Sequence, residues 1–251
     1  MKILELFSGT ECLSDAFRRR GHECFTVDWD KKFPSSLHID ILALTADIIR
    51  EQFGQPDIIW GGFDCTTFSV AAIGHHRRRN PDNGSLEPKT EGAARTDEVN
   101  KHSLNIIREL APKFFFIENP MGGLRKMEYM QPIPRHMITY CQYGFEYRKA
   151  TDIWTNHPDP QFLPPCKNGD PCHVKAPRGT KLGLQAIKDK AERSKYPPRL
   201  CEHIVDICEQ GFDLQPLPVA LPVYEVNADM LTTARRKYAE EHSQLLLFDE
   251  R

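Results

Sequence analysis

The feature that most constrains this chain is the alternation of short apolar runs with helical periodicity over its first 120 residues. Ile3-Leu4-Glu5-Leu6-Phe7 reads as a buried strand ending in Ser8-Gly9-Thr10. Glu11 to Arg20 then fits a helix, with Leu13, Ala16 and Phe17 on one face and Gly21 as its stop. Further strands are expected at Cys24–Asp28, His38–Ile41, Asp57–Trp60 and Lys113–Ile117, and a longer helix over about Thr96 to Leu110. Elements of this length in this order predict an α/β fold, a mostly parallel sheet with helices on both faces. Ligands in such sheets bind beyond the carboxyl ends of the strands.

After Gly144 the pattern weakens. Residues 157–198 are rich in Pro, Gly, Lys and Asp and read mainly as ordered loop, before a helix near Arg199–Gln210 that ends at Gly211. This divides the chain into an α/β unit over 1–211, a Pro-rich linker over 212–226, and a C-terminal helix and apolar tail over 227–251. Asn227 caps that last helix, expected from about Ala228 to His242. The net charge of −2 does not advertise a nucleic-acid binder, so any such activity must come from local basic patches. No stretch approaches the ~20 consecutive apolar residues of a membrane span, and Met1-Lys2-Ile3-Leu4-Glu5 lacks a signal peptide's apolar region. The expectation is a cytoplasmic protein whose eight cysteines are reduced thiols. Among them, Cys12, Cys24 and Cys208 sit in apolar surroundings and read as small core residues.

Chemistry-bearing residues gather where strands end. Phe7-Ser8-Gly9-Thr10 forms a tight turn between strand and helix that lets a ligand approach backbone. Asp28 closes the second strand, where an acidic side chain can bind ribose hydroxyls, and Trp29 beside it offers a face for a purine ring. Gly61-Gly62-Phe63-Asp64-Cys65-Thr66-Thr67-Phe68-Ser69 follows the fourth strand and puts Cys65 toward the ligand crevice, a nucleophile's position. Phe115-Phe116-Ile117-Glu118-Asn119-Pro120 ends an apolar strand with a carboxylate, whose burial raises its pKa and suits it to hold a proton.

This set, together with Asp28-Trp29-Asp30 and Tyr147-Arg148, resembles the ordered motifs of the DNA (cytosine-5)-methyltransferases, most of all short phage-encoded members. The resemblance spans residues 1 to about 156 and implies a Rossmann-like fold that binds S-adenosylmethionine and takes a cytosine flipped out of double-stranded DNA. It makes 1–211 the catalytic domain, with 157–198 standing where larger members carry a target recognition domain, so sequence specificity should be short or loose. It implies that Cys65 attacks cytosine C6, that Glu118 contacts N3 and the exocyclic amine, and that Arg148 helps hold the base. For the cofactor it implies contacts from Phe7, Ser8, Gly9 and Thr10, ribose binding by Asp28, stacking by Trp29, and contacts to the adenine edge from Asp40 and Ile41.

Two departures from the family pattern bear on activity. Asp64 stands where the family has a proline before its nucleophile, which removes a fixed φ angle and puts a negative charge beside the thiol. The family's last Gly-Asn motif is absent, with the helix from Arg199 as its substitute. A weakened or inactive DNA-binding module on the same fold, or a cytosine-modifying enzyme that acts on tRNA or uses an altered group donor, are the alternatives these departures open. Arg77, Arg78 and Arg79 lie in the segment after Cys65, a mobile loop in the family, and are expected to grip phosphates. Cys166, Cys172 and His173 are zinc-ligand types, but a fourth ligand is not evident beyond Cys141, Cys201 or His203, and packed thiols are the expectation. Gln244, Leu245, Leu247 and Phe248 resemble the short peptide by which bacterial proteins dock on the sliding clamp.

Overall fold

The computed structural model describes residues 1–176, 179 and 187–246, the side chains of 190 and 243–246 excepted. A seven-stranded sheet forms the centre. Five of its strands are parallel: β1 (Lys2–Leu6), β2 (Glu23–Asp28), β3 (Leu37–His38), β4 (Ile58–Gly62) and β7 (Phe114–Pro120). Two antiparallel strands, β8 (Arg135–Thr139) and β9 (Ala150–Thr155), complete the order β3-β2-β1-β4-β7-β9-β8. A separate hairpin pairs β5 (Arg77–Arg79) with β6 (Leu86–Pro88).

Strand residues alternate between two cores. On one face Leu4, Leu6, Ile59 and Ile117 pack under α2 (Ala46–Gln52) and α4 (Glu91–Leu110). On the other, Ile3, Ile58, Trp60 and Phe116 pack under α1 (Cys12–Arg19) and α6 (Pro198–Gln210). Burial on both faces explains why the parallel strands read as continuous apolar runs. Complete burial of a side chain such as Phe17 on α1 contributes about 1.5–3 kcal/mol. Glu5, facing α1, is the polar exception. Its carboxylate accepts from Ser14 N and Oγ, and burial pushes its pKa up to about 7.

Several boundaries differ from the sequence expectation for local reasons. The third strand closes after two residues because the Asp40 carboxylate turns back to accept from Leu42 N, ending the extended run. The long helix begins at Glu91, earlier than Thr96, because Thr90 caps it by accepting from Ala93 N at 3.2 Å. Downstream of Cys65 a short helical turn α3 (Ile73–His76) leads directly into the β5/β6 hairpin. Helix α5 (Lys190–Ser194) precedes α6, and α7 (Ala228–Leu246) runs four residues beyond His242. Residues 212–226 contain neither helix nor strand, yet they are pinned: Leu217 N donates to Asn156 O, and Asn105 exchanges two hydrogen bonds with the Tyr224 backbone. Among the described residues no helix is long and apolar enough to cross a membrane.

Candidate active site

The chain runs outward from β1 in both directions, to β2 and β3 on one side and to β4 and β7 on the other, so the carboxyl ends of β1 and β4 flank a crevice. The turn after β1 is wound tightly, with φ values of 59° at Phe7, 49° at Gly9 and 55° at Glu11. Asp28 locks this turn to the end of β2. Its carboxylate accepts from Gly9 N and from Asp30 N, both at 2.9 Å. A cavity of about 410 Å³ opens beside them, with Phe7, Ile41, Val99 and Trp29 as apolar walls and Asp28 and Asp64 as acidic ones. Trp29 is 71% exposed, an indole left in solvent at the cavity's edge. Asp40 is ion-paired with Arg95, and both line the same cavity. Ser8 is buried against Ser35, and Thr10 Oγ1 lies 3.1 Å from Cys12 Sγ. Helix α7 closes the outer side, where Lys237 lines this cavity and a neighbouring one of about 310 Å³ that also touches Trp29.

The register between β4 and β7 sets Gly62 opposite Glu118. Phe63 N donates to Glu118 O at 3.1 Å, and Asn119 Nδ2 donates to Phe63 O at 2.7 Å, so the loop that carries Cys65 is sewn to the strand that carries Glu118. Cys65 O accepts from Phe68 N and Ser69 N, which puts the thiol at the start of a helical turn. A Cβ at Gly122 would sit 2.3 Å from Phe68 O, so glycine is needed where this turn meets the end of β7.

Asp64 takes over part of a proline's task by a different means. Its Oδ1 accepts from Thr66 N at 2.8 Å and its Oδ2 from Thr96 Oγ1 at 3.3 Å. The loop is thereby held by hydrogen bonds and not by a ring. Burial, first, and then the charges of Glu118 and Asp64 push the Cys65 thiol up, against the pull of Lys149.

Glu118 is 5% exposed, and burial raises its pKa. Two groups oppose that rise: Lys149 Nζ, 3.9 Å from Oε1, and the Tyr140 hydroxyl, which donates to Oε1 at 2.8 Å. Lys149 also lies over the Tyr140 ring. A buried carboxyl that can be neutral, a half-buried thiol near it and one ammonium serving both can hold a proton and release a nucleophile within the same space. Tyr140, Lys149 and Tyr196, whose hydroxyl packs against Gly62, escape sequence reasoning.

The structure parts from expectation at two arginines. Arg148 donates through Nε to Cys166 O at 3.2 Å, and the cation paired with the Glu118 carboxylate is Lys149. Arg77 does not reach the surface. Its side chain is fully buried, paired with both carboxylate oxygens of Asp97, bonded to Thr67 and stacked on Phe68. Arg78 and Arg79 remain outward on the hairpin, in contact with Glu87 and Gly84. The tail peptide with Gln244, Leu245, Leu247 and Phe248 lies outside the described side chains.

Comparison with known proteins bears on this arrangement. The sequence profile of the C-5 cytosine-specific DNA methylases matches residues 1–148. A Frog virus 3 (isolate Goorha) protein named "Probable DNA (cytosine-5)-methyltransferase" is 30% identical over 228 residues, covering 83% of this chain and 100% of the viral one. Among solved structures, a DNA modification methyltransferase encoded within an E. coli prophage aligns at 20% identity and a TM-score of 0.45, over 62% of this chain and 46% of its own. The Entamoeba histolytica methyltransferase EhMeth aligns at 12% and 0.45, over 66% of this chain and 56% of its own. The chain thus spans about half the length of those two structures.

Proposed function

This chain belongs to the C-5 cytosine-specific DNA methylase family, and on that footing we propose that it methylates C5 of a cytosine flipped out of duplex DNA, with Cys65 as nucleophile. The observation that carries the reading is the stitching of the Cys65 loop to β7 beside Glu118. Cytosine C5 is a poor nucleophile until a thiolate adds at C6, so the chemistry needs a thiol and a proton-holding carboxyl around one base. The Cys65 thiolate adds to C6 while Glu118, whose pKa burial raises toward holding a proton, contacts N3 and the exocyclic amine. The electron pair of the C5–C6 bond moves to C5, which would take the methyl carbon as the methyl–sulfur bond breaks and its electron pair stays on sulfur, leaving a neutral thioether. Loss of the C5 proton then re-forms the double bond and expels the thiolate.

The cavity next to this pair fits S-adenosylmethionine. Apolar walls at Phe7, Ile41 and Val99 and the exposed Trp29 suit an adenine ring, and Asp28 suits a ribose diol. Asp28 and Asp64 favour a cationic nucleoside over a diphosphate. When bound there, S-adenosylmethionine supplies the methyl group as an electrophile. Ser8, Gly9 and Thr10 shape the turn around it, and Asp40 meets the adenine edge with Arg95 at its side. Arg78 and Arg79 supply phosphate contacts from the hairpin, and Arg148 braces the segment that holds the base.

Duplex DNA carrying 5-fluorocytosine tests the reading, because fluorine cannot leave C5 as a proton does and the adduct cannot resolve. With S-adenosylmethionine present, the protein should form a DNA complex that survives denaturing electrophoresis and is absent from Cys65→Ala. No complex with DNA from the wild type, or an undiminished complex in Cys65→Ala, would overturn it; a complex only with tRNA would move the activity to RNA.

A further inference from the structure

Away from the catalytic crevice, four side chains of metal-binding type converge: Cys141, Cys166, Cys172 and His173. Their donor atoms all lie within 4.8 Å of one another. Cys172 Sγ is 3.7 Å from Cys141 Sγ and 3.4 Å from His173 Nδ1, and Cys166 Sγ is 3.7 Å from His173 Nδ1. A tetrahedral zinc with Zn–S about 2.3 Å and Zn–N about 2.0–2.1 Å needs edges of about 3.8 Å between sulfurs and about 3.6 Å from sulfur to nitrogen. Of the six separations among four donors, these three meet that requirement, the 3.2 Å between Cys141 and Cys166 needs a small expansion, and the remaining two lie within 4.8 Å.

From this geometry we propose that the four residues form a structural zinc site. Thiolate-rich donors in tetrahedral array select zinc. A disulfide between Cys141 and Cys166 is the rival, but it would engage two of the thiols and leave the convergence of Cys172 and His173 without a purpose.

The surrounding structure shows why a metal is needed here. Between the end of β9 and α5 the described chain has no helix or strand, and it exposes Leu163 and Val174 to solvent. Such a segment lacks the apolar burial that offsets its ordering entropy. Cys141 belongs to the 3₁₀ turn Tyr140–Tyr143, whose Tyr140 donates to Glu118. A metal therefore ties the loop to the element that supports the catalytic carboxyl. Around the ligands, Gln142 Nε2 donates to Cys172 Sγ at 3.4 Å, Cys166 N donates to Thr139 Oγ1 at 3.0 Å, and Cys166 O accepts from Arg148. Ligation through Nδ1 puts the imidazole proton on Nε2. The 3.3 Å contact from Gly169 N then gives way, and that exposed N–H turns to water.

Full-length protein produced in zinc-supplemented medium and purified without chelators should carry about one zinc per chain by elemental analysis. Cys172→Ala and His173→Ala, at half-buried positions that the fold tolerates, should each lose most of that metal while circular dichroism stays unchanged; Cys24→Ala should keep it. Cobalt exchanged into the wild type should show thiolate-to-metal charge transfer and the d–d bands of a tetrahedral site, weakened in Cys172→Ala. Chelation should lower the melting temperature and open the loop to proteases. Metal-free protein that takes up no cobalt, a Cys141–Cys166 disulfide in its place, or metal retained in Cys172→Ala/His173→Ala would overturn the proposal.

Discussion

Replacing Arg77 with methionine separates two roles for the arginine run that follows Cys65. The guanidinium donates to Asp97 Oδ1 at 2.9 Å and Oδ2 at 3.1 Å, to Thr67 Oγ1 at 2.9 Å and to Thr67 O at 3.2 Å, with its side chain fully buried. These bonds tie the Cys65 loop to α4. Methionine keeps the stacking volume over Phe68 but leaves the Asp97 carboxylate buried with the Tyr129 hydroxyl, at 3.2 Å, as its remaining side-chain donor among the described residues. Breaking a buried pair from one side costs about 3–5 kcal/mol. For a chain of this size each kcal/mol moves Tm by about 2–4 °C, so Tm should fall by about 10 °C. Urea unfolding, followed through the buried Trp60 and Trp154, gives the free energy directly. Arg77→Met/Asp97→Leu removes both charges and should recover at least about 2 kcal/mol relative to the sum of the singles. A phosphate-gripping Arg77 would do the opposite. Its loss would leave Tm within about 2 °C and lower the salt slope of DNA binding by about 0.9, and that pair of results would refute the anchoring role.

Lys149→Met should move both limbs of a bell-shaped kcat/KM profile to higher pH. The ammonium lowers the pKa of Cys65 and of Glu118, so without it the thiolate forms later and Glu118 keeps its proton longer. Tyr140→Phe should raise one limb alone, the one Glu118 sets, because its hydroxyl bonds to Glu118 and lowers its pKa. An unmoved acid limb in Lys149→Met would contradict the shared-cation reading. Arg78→Ala and Arg79→Ala should leave Tm unchanged and each reduce the slope of log affinity against log salt by about 0.9, measured by fluorescence anisotropy. An unchanged slope would remove the hairpin from the DNA interface.

Much of the fold can be read in the chain because β1, β4 and β7 are buried on both faces and therefore appear as apolar runs. The antiparallel edge cannot be read this way. β9 carries Asp152, wholly buried but paired with Arg125 and Arg135, and β8 opens with Arg135 and His136, so charge satisfied in space masks the apolar signal. The sequence draws attention to Arg148 and not to Lys149, the cation paired with Glu118, because a step of one residue just before a strand sends the side chain elsewhere and leaves no mark in the sequence. Arg77 illustrates a different limit, since a run of three arginines gives no sign of which one meets a buried aspartate twenty residues away. Cys141 lies 25 residues before Cys166, and the sheet edge is what brings them together.

Transfer of labelled methyl from S-adenosylmethionine to unmethylated duplex DNA, with Cys65→Ala and Asp64→Pro alongside, tests the central claim most directly. Incorporation should be present in the wild type, fall to background in Cys65→Ala and persist in Asp64→Pro, whose ring replaces the hydrogen bonds from Thr66 and Thr96. Incorporation that survives Cys65→Ala, or a silent wild type whatever Asp64→Pro does, would contradict the account.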